Sequence, residues 1–211
     1  MSEVIENKRN NALYEVIKRI IDIVASFIGL ILLSPLMLIV SILIKLESKG
    51  EVIFKQKRVG LNGKEFYMYK FRSMVINAEE LKAELESKNE MSGPMFKIKD
   101  DPRITKVGNL IRKTSIDELP QLINVIKGDM SLVGPRPSLQ KEVEKFEPWM
   151  MERLKVKPGL TCIWQISGRN NIGFEEWMKL DIKYVRERSF KLDMKLILKT
   201  VLVLFGDKNA S

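Results

Sequence analysis

The sequence predicts an α+β protein, in which a mostly helical domain with one small β-hairpin follows an apolar helix near the N-terminus. Three observations predict this class. Residues 23–44 contain no charged side chain, and a helix of that length could cross the ~30 Å hydrocarbon core of a bilayer. Strand-like segments flank a Gly-rich turn at 60–63. Apolar residues at helical spacing recur in the second half of the chain.

The 211 residues suit one domain with a membrane segment. We expect a polar N-terminal segment over 1–17, a membrane helix over 18–46 and a cytoplasmic domain over 47–211. The apolar run is longer than the core of an ordinary cleavable signal, and no small-residue cleavage site follows it.

The apolar run contains a Ser34-Pro35 pair near its middle. Pro35 lacks an N–H and its ring clashes with the carbonyl of Ile31, so a kink is expected there, and Ser34 can bond to backbone groups that the kink frees. Basic residues mark the cytoplasmic side of a membrane helix. Here they lie on both sides of the run, at Lys18, Arg19, Lys45 and Lys49. A spanning helix and a helix that enters and turns back therefore both remain open.

The net charge of +9 indicates an anionic partner. Beside an apolar membrane segment, lipid headgroups and phosphorylated ligands are favoured over nucleic acid. The chain has no histidine and one cysteine, Cys162, which excludes a Ser-His-Asp triad, an intramolecular disulfide and a zinc cluster. Cys162 is expected to have a packing role. Any metal must be held by oxygen ligands, which favours Mg²⁺.

The remaining elements follow in chain order from local pattern. Helical spacing begins at Tyr14, strands are expected over 52–54 and 66–71, and a charged helix over 75–90. Further helices are expected over 119–126, where Gly128 is the stop signal, and over 139–154 and 174–188.

Two other stretches are predicted to be extended, namely Gly134-Pro-Arg-Pro137 and residues 160–166. The apolar stretch 192–205 is too short to span a bilayer, and it contains Asp193, Lys195 and Lys199. It predicts a helix that lies in the membrane interface or packs on the domain.

Asp117-Glu118 is the first candidate for chemistry. The two carboxylates could simply begin a helix, because Ser115-x-x-Glu118 fits a capping box and acids complement the helix dipole. If Ser115 were the N-cap, Pro120 would fall at the fifth helical position and a helical hydrogen bond would be lost. If Asp117 were the N-cap, Pro120 would fall at the third position, where the N–H has no helical partner anyway. In either case both carboxylates are expected at a helix N-terminus.

Arginines surround this pair in the sequence. Arg112 lies just upstream, and Arg103, Arg136 and Arg169 lie in loops flanked by Pro or Gly, where a fixed guanidinium suits phosphate binding. A carboxylate among such groups is expected to stay ionised and nucleophilic, and a second carboxylate could hold Mg²⁺ on a pyrophosphate. The residues alone thus predict a cytoplasm-facing membrane protein with a basic, carboxylate-bearing site for phosphorylated ligands.

At these residues the chain resembles the bacterial sugar transferase family, the monotopic phosphoglycosyl transferases that act on polyprenol phosphate. The resemblance extends from residue 18 to about residue 200. Its motifs, in order, are Lys18-Arg-x-x-Asp22, the run with Ser34-Pro35, Val52-Ile-Phe-x-Gln56-x-Arg58-x-Gly60, Tyr69-Lys-Phe-Arg-Ser-Met74, Phe96-Lys97, Asp101-Pro-Arg-Ile-Thr105, Arg112-Lys-Thr-Ser-x-Asp-Glu-Leu-Pro-Gln121, Gly128-Asp-Met-Ser-Leu-Val-Gly-Pro-Arg-Pro137, Lys157-Pro-Gly-Leu-Thr161 and Ser167-Gly-Arg-Asn170.

The resemblance implies a reaction and a role for each site residue. Asp117 would attack the sugar-bearing phosphate of a UDP-sugar, release UMP and carry the phosphosugar until polyprenol phosphate accepts it. Glu118 would bind Mg²⁺, and Arg112 would lie by the lipid phosphate. The resemblance further assigns to substrate binding the residues Lys70, Arg72, Arg103, Arg136 and Arg169, of which the last two would hold the nucleotide diphosphate. Many relatives carry Gly where Cys162 stands.

The resemblance also implies a place in the cell. The apolar run would be a re-entrant helix kinked at Ser34 and Pro35, and amphipathic helices would lie in the interface at the cytoplasmic face of the inner membrane. The chain would be a minimal catalytic unit without the extra N-terminal membrane domain of larger relatives, with membrane lipids and downstream glycosyltransferases as further partners and no nucleic acid. The rival hypothesis is a non-enzymatic, membrane-anchored basic module that binds anionic lipid or nucleic acid, with affinity that falls smoothly with salt.

Overall fold

The computed structural model of the protein describes residues 2–85, 98, 100–166 and 173–206. The described helices are α1 Ser2–Glu47, α2 Ala78–Glu84, α3 Lys106–Lys113, α4 Gln121–Lys127, α5 Gln140–Val143, α6 Ile163–Ile166, α7 Phe174–Glu187 and α8 Phe190–Gly206. The strands are β1 Ile53–Val59, β2 Glu65–Phe71, β3 Ser131–Val133 and β4 Gly159–Thr161. Short 3₁₀ helices lie at Leu61–Gly63, Ile116–Glu118 and Pro148–Lys155. The predicted class, mostly helical with one small hairpin and a long apolar N-terminal helix, is confirmed.

The β1–β2 hairpin forms where the sequence predicts it. The strands are antiparallel, with Ile53 opposite Phe71 and Val59 opposite Glu65. Asn62 and Gly63 both adopt positive φ, of 55° and 80°, in the turn, a conformation that Asn and Gly tolerate best. β1 is longer than expected, because Lys55, Lys57 and Arg58 interrupt the apolar pattern that would have marked it as a strand.

Helix α1 is continuous from Ser2 to Glu47 and includes Pro35, so helical structure begins well before Tyr14. The Ser34 hydroxyl donates a hydrogen bond of 2.8 Å to the carbonyl of Ile31. This is the carbonyl that Pro35 leaves without its usual donor, so Ser34 has the expected compensating role. The stretch Ala12–Glu47 is long and apolar enough to cross a membrane. Whether it kinks and re-enters stays a prediction.

The N-terminal half of α1 is attached to the domain by polar contacts. Lys18 Nζ lies 2.6 Å from Asp193 Oδ2, and Arg19 donates to the carbonyls of Val125 and Ile126 at 2.6 and 2.7 Å. Asp22 accepts a 3.0 Å hydrogen bond from the Leu132 N–H. Lys18 and Arg19, which precede the apolar run, therefore also dock this helix on the folded domain.

The C-terminal end of α1 is attached to the same domain. The Glu47 carboxylate accepts from the Val107 N–H at 3.1 Å, and Val40 and Ile44 are buried in one apolar cluster with Phe71 and Ile111. The opposite face of the helix exposes large apolar side chains, among them Phe27, Leu32, Leu38 and Leu46. Both ends of the apolar run therefore contact one domain, while the apolar side chains on the face away from the domain are exposed.

The second half of the chain is built around a short parallel pair, β3 and β4, with Ser131 opposite Gly159. A Cβ on Gly159 would overlap the backbone at Gly134, so only glycine permits this close approach. Helices α7 and α8 cover the pair through the buried side chains of Tyr184 and Leu196. The sequence did not predict this parallel pairing.

Four local expectations need correction. Residues 160–166 are not all extended, since only Gly159–Thr161 is a strand and helix α6 follows. The single helix over 139–154 is broken, because the residue before Pro148 is forced into an extended conformation. Helix α3 was missed, although Thr105 caps it by accepting from the Gly108 N–H. The charged helix predicted over 75–90 begins later, as α2 Ala78–Glu84, and residues 86–90 of that prediction lie outside the described residues.

Helix α8 combines the two readings offered for residues 192–205. Asp193 and Leu196 are buried against the domain, whereas Leu198, Val201 and Leu202 are exposed. One face packs and the other presents apolar surface, which is the pattern of a helix at a membrane interface.

Candidate active site

Asp117 and Glu118 lie in the 3₁₀ turn Ile116–Glu118, between α3 and α4. The capping-box interpretation is wrong, because Ser115 is left-handed, with φ of 55°, and its side chain caps nothing. Pro120 is instead the N-cap of α4, where its missing N–H costs no helical hydrogen bond. The two carboxylates are thus held on a tight turn that precedes the helix.

Asp117 is buried, with 8% of its surface exposed. Burial raises the pKa of Asp117 above its ordinary value, and the nearby Glu118 carboxylate adds to this, while the charges of Lys70, Arg112 and Arg136 oppose it. We expected these cations to hold the pKa down, but desolvation is the larger effect. The Asp117 carboxylate is therefore a poorly hydrated group among cations, which favours reaction with a bound electrophile.

Glu118 joins three segments that are distant in sequence. Its Oε1 lies 2.6 Å from Nζ of Lys70, on β2, and 3.7 Å from Nη1 of Arg136, in the Pro-Arg-Pro segment. The tertiary fold thus brings two of the predicted substrate-binding cations to the predicted carboxylate pair.

These groups line a narrow cleft that also includes Arg58 and Gln121. Arg58 donates to the Pro137 carbonyl at 3.0 Å and to the Gln56 side chain. Burial, together with the charge of Arg136, lowers the pKa of Arg58 to about 10, so it stays cationic at neutral pH. Gln121 is 3% exposed, and its Nε2 has no hydrogen-bond partner within the described part of the chain.

Sequence reasoning gave no site role to Arg58 or Gln121. Both belong to motifs of the family resemblance, Val52–Gly60 and Arg112–Gln121 in extent, and that is the signal that could have found them. A buried amide donor without a partner is unusual in a folded protein, and here it faces a cationic cleft.

Two of the predicted substrate-binding arginines have partners within the protein. Arg103 is buried and pairs with Asp101 in a two-pronged contact, with its Nε 2.9 Å from Oδ1 and its Nη2 2.6 Å from Oδ2, and this partner lowers the pKa of the Asp101 carboxyl. Arg72 donates to the carbonyls of Ser48 and Lys49 and fastens the end of α1. Because these guanidiniums already have partners in the protein, we do not assign either residue to the cleft.

Arg112 lies at the exposed end of α3, and its charge is one of those that oppose the rise in the pKa of Asp117 caused by burial. This position is open to a ligand that approaches from outside the cleft. Arg169, in the Ser167-Gly-Arg-Asn170 motif, and the Phe96-Lys97 motif lie outside the described residues.

A buried ion pair contacts the backbone of the Pro-Arg-Pro segment and fixes its position. Arg153 Nη2 donates at 2.7 Å to Oδ2 of Asp181 and at 2.7 Å to the carbonyl of Arg136, and Arg153 also donates to the Ser138 hydroxyl. Burial raises the pKa of Asp181 to about 6 in spite of this arginine. Cys162 is also buried, which raises the pKa of its thiol to about 12, so it packs, as expected.

The donor set suits a magnesium ion that is shared with a substrate. Among the described residues no group of three His, Cys, Asp or Glu side chains could hold a metal ion alone. Mg²⁺ is commonly held by one or two carboxylates together with substrate phosphates. Glu118 is a carboxylate in the cleft that could contribute to such a site.

The chain is similar to known proteins over most of its length. The chain matches the family model described as bacterial sugar transferase over residues 13–207. Galactosyl transferase CpsE of Streptococcus agalactiae is 52% identical over 191 residues, which cover 90% of this chain and 42% of that protein.

Two further relatives carry informative names. Undecaprenyl-phosphate galactose phosphotransferase of Salmonella typhimurium is 44% identical over 192 residues, covering 89% of this chain and 40% of that protein. Exopolysaccharide production protein ExoY of Sinorhizobium fredii is 39% identical over 188 residues, covering 87% of this chain and 83% of that protein. The chain thus spans less than half of the first two relatives and most of the third.

Proposed function

Because the chain belongs to the bacterial sugar transferase family, we propose that it is a membrane-bound enzyme that transfers a sugar-1-phosphate from a UDP-sugar to polyprenol phosphate. The observation that carries this proposal is the buried Asp117, next in the chain to Glu118. The Glu118 side chain lines a cleft with Lys70, Arg136 and Arg58, which we call the Asp117 cleft. A relative whose name specifies sugar phosphate transfer to undecaprenyl phosphate supports the substrate class.

In the first step, a carboxylate oxygen of Asp117 attacks the β-phosphorus of the UDP-sugar, the atom that bears the sugar. The new bond joins Asp117 to that phosphorus, the bond from the phosphorus to the bridging oxygen breaks, and UMP leaves with the electron pair. Lys70, Arg136 and Arg58 stabilise the charge that develops on the phosphate oxygens, because preorganised cations in a dry cleft act more strongly than in water.

In the second step, an oxygen of polyprenol phosphate attacks the phosphorus held on Asp117. The bond to Asp117 breaks, the carboxylate is regenerated, and polyprenyl diphosphate sugar is released. Arg112, exposed at the end of α3 near Asp117, is suited to bind the incoming lipid phosphate.

Mg²⁺ fits this chemistry as a cofactor held by Glu118 and the substrate phosphates. When bound, it would neutralise charge on the diphosphate. Lys70, which pairs with Glu118 in the structure, would then be available to the sugar-bearing phosphate.

We further propose that α1 enters the cytoplasmic leaflet of the inner membrane and turns back at Ser34-Pro35. Support comes from the attachment of both ends of α1 to one domain, through Arg19 and Glu47. A straight helix across ~30 Å of hydrocarbon would separate those two attachments. The exposed apolar faces of α1 and α8 would contact lipid.

The direct test measures UMP release from UDP-sugars in the presence of polyprenol phosphate and Mg²⁺. We expect the wild type to turn over and Asp117→Asn to lose activity at least roughly a thousandfold, as is usual when a nucleophile is removed. Asp100→Asn, at an exposed position, is the matched control and should keep wild-type activity.

Trapping distinguishes a covalent nucleophile from a residue that only binds. Incubation with UDP-sugar labelled in the sugar and no lipid acceptor should label the wild type and leave Asp117→Asn unlabelled. Wild-type turnover by Asp117→Asn would show that another group attacks. Complete absence of UMP release by the wild type with every UDP-sugar tried would favour the non-enzymatic basic module.

A further inference from the structure

A second basic cavity lies away from the Asp117 cleft, where α1 meets the domain. It has a volume of about 210 Å³ and is lined by Lys18, Arg19 and Asp22 from α1, by Lys155 and Lys157 from the segment before β4, and by Arg188. Arg188 and Lys18 already have acidic partners, Glu15 at 2.8 Å and Asp193 at 2.6 Å.

Lys155 and Lys157 have no such partner. Neither ammonium forms an ion pair or a hydrogen bond with another residue that the structure describes. A Cβ on Gly128 would lie 3.3 Å from Arg19 Nη2 and 3.6 Å from Lys157 Nζ, so these two cations flank the same glycine. Cations held this close repel each other, and a bound anion would relieve that repulsion.

The backbone around these lysines is fixed. The carbonyl of Pro158 accepts from the Ser131 N–H at 2.8 Å, and the Gly159 N–H donates to the Pro135 carbonyl at 2.9 Å. Arg19 is anchored on the last carbonyls of α4. The backbone after Lys157 and the Arg19 side chain are therefore held in place before a ligand binds, which lowers the entropic cost of binding an anion.

Its position relates it to the membrane. Arg19 and Asp22 lie in the turn of α1 that immediately precedes the apolar run 23–44. A helix that enters the bilayer with this run would hold the cavity at the level of the lipid phosphates. Basic pockets at that level bind anionic headgroups.

We propose that this cavity binds the phosphate group of an anionic phospholipid, separately from the Asp117 cleft. The shared chemistry is a phosphate oxygen bound by Lys155, Lys157 and Arg19, and a lipid headgroup is favoured over free phosphate by the adjoining apolar run. The bound lipid would fasten the N-terminal half of α1 to the domain at the membrane surface.

The test uses the full-length protein in detergent with three probes: short-chain phosphatidylglycerol, short-chain phosphatidylcholine and inorganic phosphate. Native mass spectrometry reports the lipid retained, and equilibrium dialysis reports phosphate bound. Wild type should retain phosphatidylglycerol and not phosphatidylcholine. The double variant Lys155→Gln/Lys157→Gln should bind phosphatidylglycerol roughly tenfold to thirtyfold more weakly, as expected for two lysines at an anionic lipid surface.

Lys141→Gln/Lys145→Gln is the matched control, since it removes two exposed lysines that do not line the cavity. It should bind like the wild type, and an equal loss of binding would overturn the site in favour of a diffuse charge effect. Equal retention of the two lipids would show that the cavity does not recognise the anionic headgroup. Inorganic phosphate bound as tightly as phosphatidylglycerol would show that the ligand is not a lipid. Lys155→Arg/Lys157→Arg keeps both charges and should bind phosphatidylglycerol like the wild type. This variant tests the role of the charges even if the glutamine variant is unstable.

Discussion

The buried ion pair between Arg153 and Asp181 is expected to be the most sensitive polar contact of the domain. Their side chains are 1% and 0% exposed, and Arg153 Nη2 lies 2.7 Å from Asp181 Oδ2. Arg153→Met would leave the Asp181 carboxylate buried without its partner. It would also remove the donors of the Arg136 carbonyl and of the Ser138 hydroxyl.

The structure sets the size of the effect. Breaking a buried pair by removing one partner costs about 3–5 kcal/mol of unfolding free energy, a large part of the total of a typical domain. Arg153 also lies 5.5 Å from the ring centroid of Phe146 and 5.8 Å from that of Trp177, but methionine retains apolar contact with both rings. We therefore expect a loss within that range for Arg153→Met.

Arg186→Met is the matched control. Arg186 Nη2 also lies 2.7 Å from a carboxylate, that of Glu152, but this pair is on the surface, with the Arg186 side chain 67% exposed. Solvent screens such a pair, so its loss should change stability little. The two ion pairs have the same chemistry and distance, so the comparison reports the effect of burial together with the two further hydrogen bonds that Arg153 donates.

Urea unfolding of the detergent-solubilised protein, followed by tryptophan fluorescence, measures both variants. Arg153→Met/Asp181→Leu removes both charges and should recover much of the stability lost in the single variant. If Arg153→Met is no more destabilising than Arg186→Met, or if the double variant is no more stable than the single one, the buried pair does not support the Pro-Arg-Pro segment as argued.

Three further outcomes are expected. Burial raises the pKa of Asp181 from its ordinary value of 3.8 to about 6 in the folded protein. The contribution of this group to the unfolding free energy should therefore fall as pH rises between those two values. Melting curves should show this pH dependence in the wild type and not in Asp181→Asn. Gln121→Leu should raise KM for the UDP-sugar roughly tenfold or more, because a hydrogen bond to a charged oxygen of the substrate is lost. It should keep the wild-type melting temperature, since the Gln121 Nε2 has no partner among the described residues. Lowered stability with unchanged KM would contradict a ligand-binding role. Single cysteines introduced near residues 5 and 50 should react with an impermeant reagent from the same side of sealed vesicles, whereas native Cys162 is buried and should not react; opposite sides would disprove re-entry.

Several parts of the fold could be predicted from local pattern. The hairpin was predicted because Asn62 and Gly63 favour positive φ, and Gly128 ends α4 with φ of 89° for the same reason. Asp117-Glu118 was found because adjacent carboxylates near arginines are visible in the chain itself. These features depend on neighbouring residues only.

Other features could not be predicted, because they depend on long-range packing. The Ser115-x-x-Glu118 pattern fits a capping box, but the packed turn places Ser115 in the left-handed region and Pro120 at the N-cap. Arg103 has the loop setting of a phosphate ligand, yet Asp101 two residues earlier binds it. Burial reversed the expected direction of the Asp117 pKa shift, and burial is not read from sequence order.

The sequence by itself determined the chemical inventory of this protein: an apolar helix that can enter a membrane, an excess of cations without histidine, and a carboxylate pair as the reactive candidate. Only the tertiary structure decided which cations meet that pair. Lys70 reaches Glu118 across 48 residues, Arg58 and Gln121 complete the cleft, and Arg72 and Lys18 are used to hold α1. The physical reason is that local sequence sets backbone preferences, whereas the partner of a charged side chain is set by which distant segments pack together.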